Sequence, residues 1–87
     1  MLLNAARESK IKIDNMVYRV TVKNSKLASG MRVERGMSVD VVTNSMSNPV
    51  ITNGGQAVAD AFMRIYGIDI RQIGALNMAY LDVERIG

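Results

Sequence analysis

From Met16 to Lys23 the chain alternates: Met16, Tyr18, Val20 and Val22 fall on one side, Val17, Arg19, Thr21 and Lys23 on the other. A two-residue period of this kind predicts a half-buried strand, here with a basic outer face. Asn24 to Gly30 reads as a loop, and Met31-Arg32-Val33-Glu34 as a short strand with Met31 and Val33 inward. Arg35-Gly36 supplies a turn. Alternation then resumes at Met37, with Met37, Val39 and Val41 inward, and ends at Val42-Thr43. Thr43 to Pro49 is polar and turn-rich, which predicts a surface loop.

The period changes after Asn53. Between Gln56 and Tyr66, Val58, Ala59, Phe62, Met63, Ile65 and Tyr66 share a broad face, and Gln56, Asp60 and Arg64 lie opposite at four-residue spacing. This predicts an amphipathic helix with an Asp60–Arg64 surface pair. Asn53 and Gln56 are spaced as a capping box, and Gly67 is the expected C-terminal cap. Asp69, Gln72 and Gly74 predict one further helical turn over residues 70–73, with Ile68 and Ile73 spaced as a hydrophobic staple. From Asn77 to Ile86, Ala79, Leu81 and Val83 oppose Met78, Tyr80, Asp82 and Glu84, which predicts a last strand pairing with Met16–Lys23.

The order β-β-β-α-β, with one helical turn before the last strand, implies an α+β fold. One amphipathic helix covers a small, bent antiparallel sheet, and the shape is compatible with an SH3-like partial barrel. Eighty-seven residues hold one domain of that size, assigned to residues 16–87. Residues 1–15 lack the pattern of the rest and read as an N-terminal extension or tail.

Composition narrows the chemistry. Cysteine and histidine are both absent, which excludes disulfides, thiolate metal sites, Cys nucleophiles and histidine general bases. The lack of disulfides together with the absence of a signal-like N-terminal run points to the cytoplasm. Gly54-Gly55 before a helix resembles a phosphate loop only superficially, because Gln56-Ala57 stands where Lys and Ser or Thr would be needed. Asp82 and Glu84 share a face, but two carboxylates without a third ligand are better read as partners for Arg19 or Lys23 across the sheet. No cofactor and no catalytic residue is implied, and the expectation is a protein that is not an enzyme.

Net charge is +3, and five of the eleven basic residues, Arg19, Lys23, Lys26, Arg32 and Arg35, fall within residues 16–35 against Glu34. Such a group could track a phosphate backbone, or it could be a solvated face that guards sheet edges. Met78 and Tyr80 form an apolar pair on the outer face of the last strand, a candidate contact patch. Two functions therefore stand: a protein-interaction or self-association module using Met78 and Tyr80, and, as the alternative, a nucleic-acid-binding accessory protein using the basic group.

The segments Gly36-Met37-Ser38-Val39-Asp40-Val41-Val42-Thr43, Asn53-Gly54-Gly55-Gln56, Ala61-Phe62-Met63-Arg64 with Tyr66-Gly67-Ile68-Asp69, and Ala79-Tyr80-Leu81-Asp82-Val83 resemble a family of small bacterial proteins of unknown function. The resemblance covers about residues 16–87. It implies a compact domain beginning near Met16, with residues 1–15 an upstream extension, and it brings no activity, substrate or catalytic residue to carry over. The stretch Gly30 to Val41 is also similar, more loosely, to the strand-turn-strand of SH3-like small barrels.

Overall fold

The computed structural model describes residues 16–44 and 46–87. The extension assigned to residues 1–15 lies outside them. Among the described residues, five strands and two helices follow one another: β1 Met16–Val22, β2 Lys26–Ala28, β3 Met31–Val33, β4 Ser38–Thr43, α1 Gln56–Tyr66, α2 Ile70–Ile73 and β5 Leu81–Arg85. A short 3-10 turn, Thr52–Gly55, leads into α1. The fold is α+β, as the patterning implies.

β1 is the centre of a three-stranded antiparallel sheet in the order β4-β1-β5. Its register sets Arg19 between Asp40 and Glu84, and Thr21 between Ser38 and Asp82. The alternation of β1 is realised: Tyr18, Val20 and Val22 are buried, while Arg19 is exposed. Val39 and Val41 from β4 and Leu81 from β5 join them, and Val58, Ala61 and Phe62 of α1 close over this face. Ile70, Ile73 and Ala75 extend the core below β3, where Val33 is buried. Burial of this kind is the main favourable term in a domain this small. The three-stranded sheet stays open and does not close into a barrel.

Four details depart from the patterning. Lys26–Ala28, read as loop, is a strand that pairs with Met31–Val33 in a separate hairpin. Ser29 and Gly30 make its tight turn, with φ of 54° and 73°, the left-handed pair that suits a two-residue hairpin. Nothing in the alternation announces β2, because Leu27 points outward and is 64% exposed. The capping box at Asn53 does not form: Asn53 is itself left-handed, φ 51°, and Gly55 is the residue preceding α1, with no side-chain cap.

The third departure is the width of the buried face of α1. Met63 and Ile65 are about half exposed, at 49% and 53%, because the sheet is broad enough to cover only the Val58–Ala61–Phe62 stripe. The fourth is the last strand, which begins at Leu81 rather than Asn77. The Asn77 side chain accepts from the Ala79 N–H at 2.9 Å, and its carbonyl accepts from the N–H groups of Tyr80 and Leu81. These local bonds hold residues 77–80 in a turn.

The C-terminal end of α1 and the N-terminal end of α2 are as expected. The Gly67 N–H bonds to the Met63 carbonyl at 2.9 Å, and the Asp69 carboxylate accepts from the Gln72 N–H at 3.1 Å. Gly55 is constrained from two directions. Its φ is 73°, and a Cβ there would lie 2.7 Å from the Val50 carbonyl oxygen and 2.9 Å from Leu76 Cδ2. Only glycine lets the chain enter α1 this close to the preceding loop.

Candidate functional site

The basic residues do not make one free surface. Arg19 projects from the outer face of β1 and grips Asp40 of β4 in a two-pronged pair, Nε to Oδ1 at 3.0 Å and Nη2 to Oδ2 at 3.3 Å. The hydrogen bond from Arg19 holds the Asp40 carboxyl below its ordinary range, and the same bond raises the Arg19 guanidinium further. Lys23 stands 3.7 Å from Asp82, and Arg32 stands 3.4 Å from Glu34. Of the expected pairings of Asp82 or Glu84 with Arg19 or Lys23, the one between Asp82 and Lys23 forms. Exposed pairs of this type add little stability, but they leave each cation less available to a phosphate backbone. Arg35 lies in the turn before β4, its backbone N–H held by Ser25 Oγ at 2.9 Å.

Lys26 and Tyr80, assigned to different functions by sequence, meet each other. The Lys26 ammonium lies 5.0 Å from the centre of the Tyr80 ring and donates to the Gly74 carbonyl at 3.4 Å. This cation–π contact ties the β2–β3 hairpin to the segment after α2. Tyr80 is half-buried and packs on the core, so it is not a free strand-face residue. Met78, 40% exposed, sits in the same turn and accepts a hydrogen bond from Asn48 Nδ2 at 3.4 Å. The apolar pair on the face of the last strand is therefore corrected: both residues precede β5, and each already has a partner within the fold.

Among the described residues no group of three or more His, Cys, Asp or Glu converges to hold a metal ion. The Gly54 carbonyl accepts from Arg71 Nη2 at 2.9 Å, and Arg71 Nη1 reaches Gln56 Oε1 at 3.4 Å. The entry to α1 is in this way tied to α2.

A concavity lies elsewhere, between β4 and α1. It consists of two adjoining depressions of about 280 and 310 Å3 that share Ala57 and Asp60. The first runs past Thr43, Pro49 and Thr52; the second is bordered by Asp40, Val41 and Val42 on one side and by Ala61 and Arg64 on the other. Two alanines one helical turn apart, Ala57 and Ala61, keep the helix wall low. Asp60 and Arg64, also one turn apart, do not form the expected ion pair. Asp60 instead accepts from Gln56 Nε2 at 2.7 Å, and no acid pairs with Arg64 among the described residues.

β4 is an edge strand, and its main chain shows which way it faces. Val22 N–H donates to the Met37 carbonyl, and Gly36 N–H donates to the Val22 carbonyl, so the odd-numbered residues of β4 turn toward β1. Ser38 turns the other way: its N–H donates to the Tyr66 hydroxyl, and that hydroxyl donates to the Ser38 carbonyl, both at 3.1 Å. By the alternation of an antiparallel ladder, Asp40 and Val42 turn their N–H and C=O groups the same way as Ser38. That direction is into the groove. Helix α1 runs antiparallel to β4, from Ala57 beside Thr43 to Tyr66 at Ser38.

None of Ala57, Asp60, Ala61, Arg64 or Tyr66 is singled out as functional by sequence. The available signal was the pair of alanines at four-residue spacing beside a charged pair with the same spacing, which reads equally well as an ordinary helix surface.

The chain belongs to a family of unknown function, DUF6140, whose model matches residues 16–83. No curated protein and no solved structure matches it. Among the described residues no helix is long and apolar enough to cross a membrane.

Proposed function

We propose that this domain is a non-enzymatic protein-interaction module acting in the cytoplasm. The observation that carries the reading is the groove between the β4 edge and α1: a concave surface with main-chain groups of Asp40 and Val42 that face no strand among the described residues on one wall and the small side chains of Ala57 and Ala61 on the other. Binding sites are usually concave and largely preformed, with a few polar groups that set orientation. A sheet edge beside a groove is also a recurring way to hold a protein segment. The absence of histidine and cysteine from the sequence removes the commonest nucleophiles and general bases, so the groove is better equipped to hold a segment than to cleave one.

Nucleic-acid binding through Arg19, Lys23, Lys26, Arg32 and Arg35 is the weaker reading. Arg19, Lys23 and Arg32 stand beside acids, and Lys26 is engaged with Tyr80 and Gly74. The deciding experiment is selection of unconstrained peptides displayed on phage against the full chain, with Ala57→Arg, at an exposed position on the groove wall, as the blocked control. Enriched peptides that bind the wild type and lose binding to Ala57→Arg support the module. No enrichment, or binders indifferent to the substitution, would sink it.

A further inference from the structure

Resting on the interaction reading, we infer that the groove takes an extended peptide as a fourth strand. The peptide runs antiparallel to β4 and carries a basic residue and, two positions later, an acidic one. Main-chain bonding comes from Asp40 and Val42. Their N–H and C=O groups face the groove, and among the described residues no strand lies beyond them. All strand pairs among those residues are antiparallel, and antiparallel ladders are slightly the more stable kind.

Side-chain selectivity comes from α1. In an added strand, alternate residues point toward the helix, about 7 Å apart along the peptide. Asp60 and Arg64 are separated by one helical turn, a rise of about 6 Å. The two spacings agree, so two successive inward-facing side chains meet Asp60 and Arg64 in turn. Neither of these is held in an ion pair among the described residues. Because α1 and the peptide both run from the Thr43 end to the Ser38 end, the peptide reaches Asp60 first and Arg64 second. A lysine or arginine followed two residues later by a glutamate or aspartate is the complementary order. The low wall formed by Ala57 and Ala61 gives the peptide backbone room to approach the β4 edge. Tyr66 sets the far limit, since its hydroxyl already occupies the Ser38 main-chain groups.

The test uses the full chain and two heptapeptides with capped ends, Thr-Val-Lys-Val-Glu-Val-Thr and its charge-swapped form Thr-Val-Glu-Val-Lys-Val-Thr. Affinity is read by titration, and amide exchange at Asp40 and Val42 is read by NMR. The Lys-first peptide is expected to bind about tenfold more tightly, because two modest exposed charge pairs attract in one peptide and repel in the other. Binding should slow exchange at both amides, and the exchanged variant Asp60→Arg with Arg64→Asp should invert the preference. Equal affinity for the two peptides, or binding without protection of Asp40 and Val42, overturns the inference while leaving a broader interaction role standing. Failure of every peptide, in both this assay and the display selection, removes both. Slow exchange at Asp40 and Val42 in the free chain also overturns it, because the edge would then already be covered. Loss of that protection on dilution would identify a second copy, and loss on removing residues 1–15 would identify the chain's own segment.

Discussion

β4 and β5 flank the same central strand and pair with it in the same antiparallel sense, yet they meet their surroundings differently. β5 turns the main-chain groups of Leu81, Val83 and Arg85 away from β1, where no strand lies among the described residues, with exposed Asp82, Glu84 and Arg85 crowding the strand. Its packing runs chiefly to β1. Charge on so short a strand is a common way of discouraging unwanted pairing. β4 has an uncharged residue, Val42, exposed at 65%, a helix packed alongside, and a groove between the two. An edge guarded by charge and an edge furnished with a wall are different solutions to one problem, and only the second provides a place for something to lie.

The difference depends on how α1 is seated, and the strongest way to break it is at Gly55. Gly55→Ala puts a Cβ against the Val50 carbonyl and Leu76 in a left-handed conformation. The expected loss is about 2–3 kcal/mol, combining backbone strain with the close approach, and urea denaturation would measure it. A loss under about 0.5 kcal/mol, the range of ordinary surface changes, would mean that the loop before α1 yields easily and that the helix wall is not rigidly placed.

Tyr66→Phe acts on a smaller scale and sharpens the contrast. It removes two hydrogen bonds to Ser38 while keeping the ring, which stacks on Phe62 with centroids 5.7 Å apart. The expected cost is about 1 kcal/mol. Exchange of the Ser38 amide should rise on removal of the hydroxyl. An unchanged Ser38 rate would show that the hydroxyl does not cover that position in solution.

The smallest effect is on the acid side. Asp40 titrates below its ordinary value, near 3.8, chiefly because Arg19 hydrogen-bonds to it. A lowered carboxyl contributes stability above the unfolded value and loses it as pH falls through the folded one. Stability attributable to this pair should therefore be level from neutrality to about pH 5 and decline below about pH 4. Asp40→Asn should flatten that acid limb in a series of thermal melts. An identical limb in the variant would mean that the pair is not maintained at the β4 edge.

Much of the fold could be read from local pattern because local physics dictates it. The alternation of β1 became its buried and exposed faces, and α1 runs from Gln56 to Tyr66, the span its period gives. The failures have two sources: pairing and packing between segments, and local side-chain bonds or left-handed residues that override the periodic pattern. β2 pairs with β3 and rests Ala28 on the core, but its central Leu27 faces outward, so no run of apolar alternation marks it. The cap at Asn53 was displaced because Asn53 and Gly54 are both left-handed where the loop turns into α1. Met78 and Tyr80 looked like strand residues until the Asn77 side chain gathered residues 77–80 into a turn. The groove was the least legible feature. It exists only because the far side of β4 and one side of α1 are brought together across a loop, and four-residue spacing of alanines on a helix carries no sign of what it will face.

The bond between Tyr66 and Ser38 has a consequence for solubility. A sheet edge that accepts one strand exposes a new edge to the next, so strand addition tends toward open-ended growth, and fibrils are its limit. Fibril-forming segments run to about six or seven residues. By occupying one rung with a phenol, the protein leaves a template whose groove-facing rungs are only Asp40 and Val42. A template that short holds a visitor only with help from the neighbouring helix, and a visitor bound there has no second helix to lend to the next. On the strand-addition proposal, Tyr66 is the feature that would separate reversible recruitment from polymerisation.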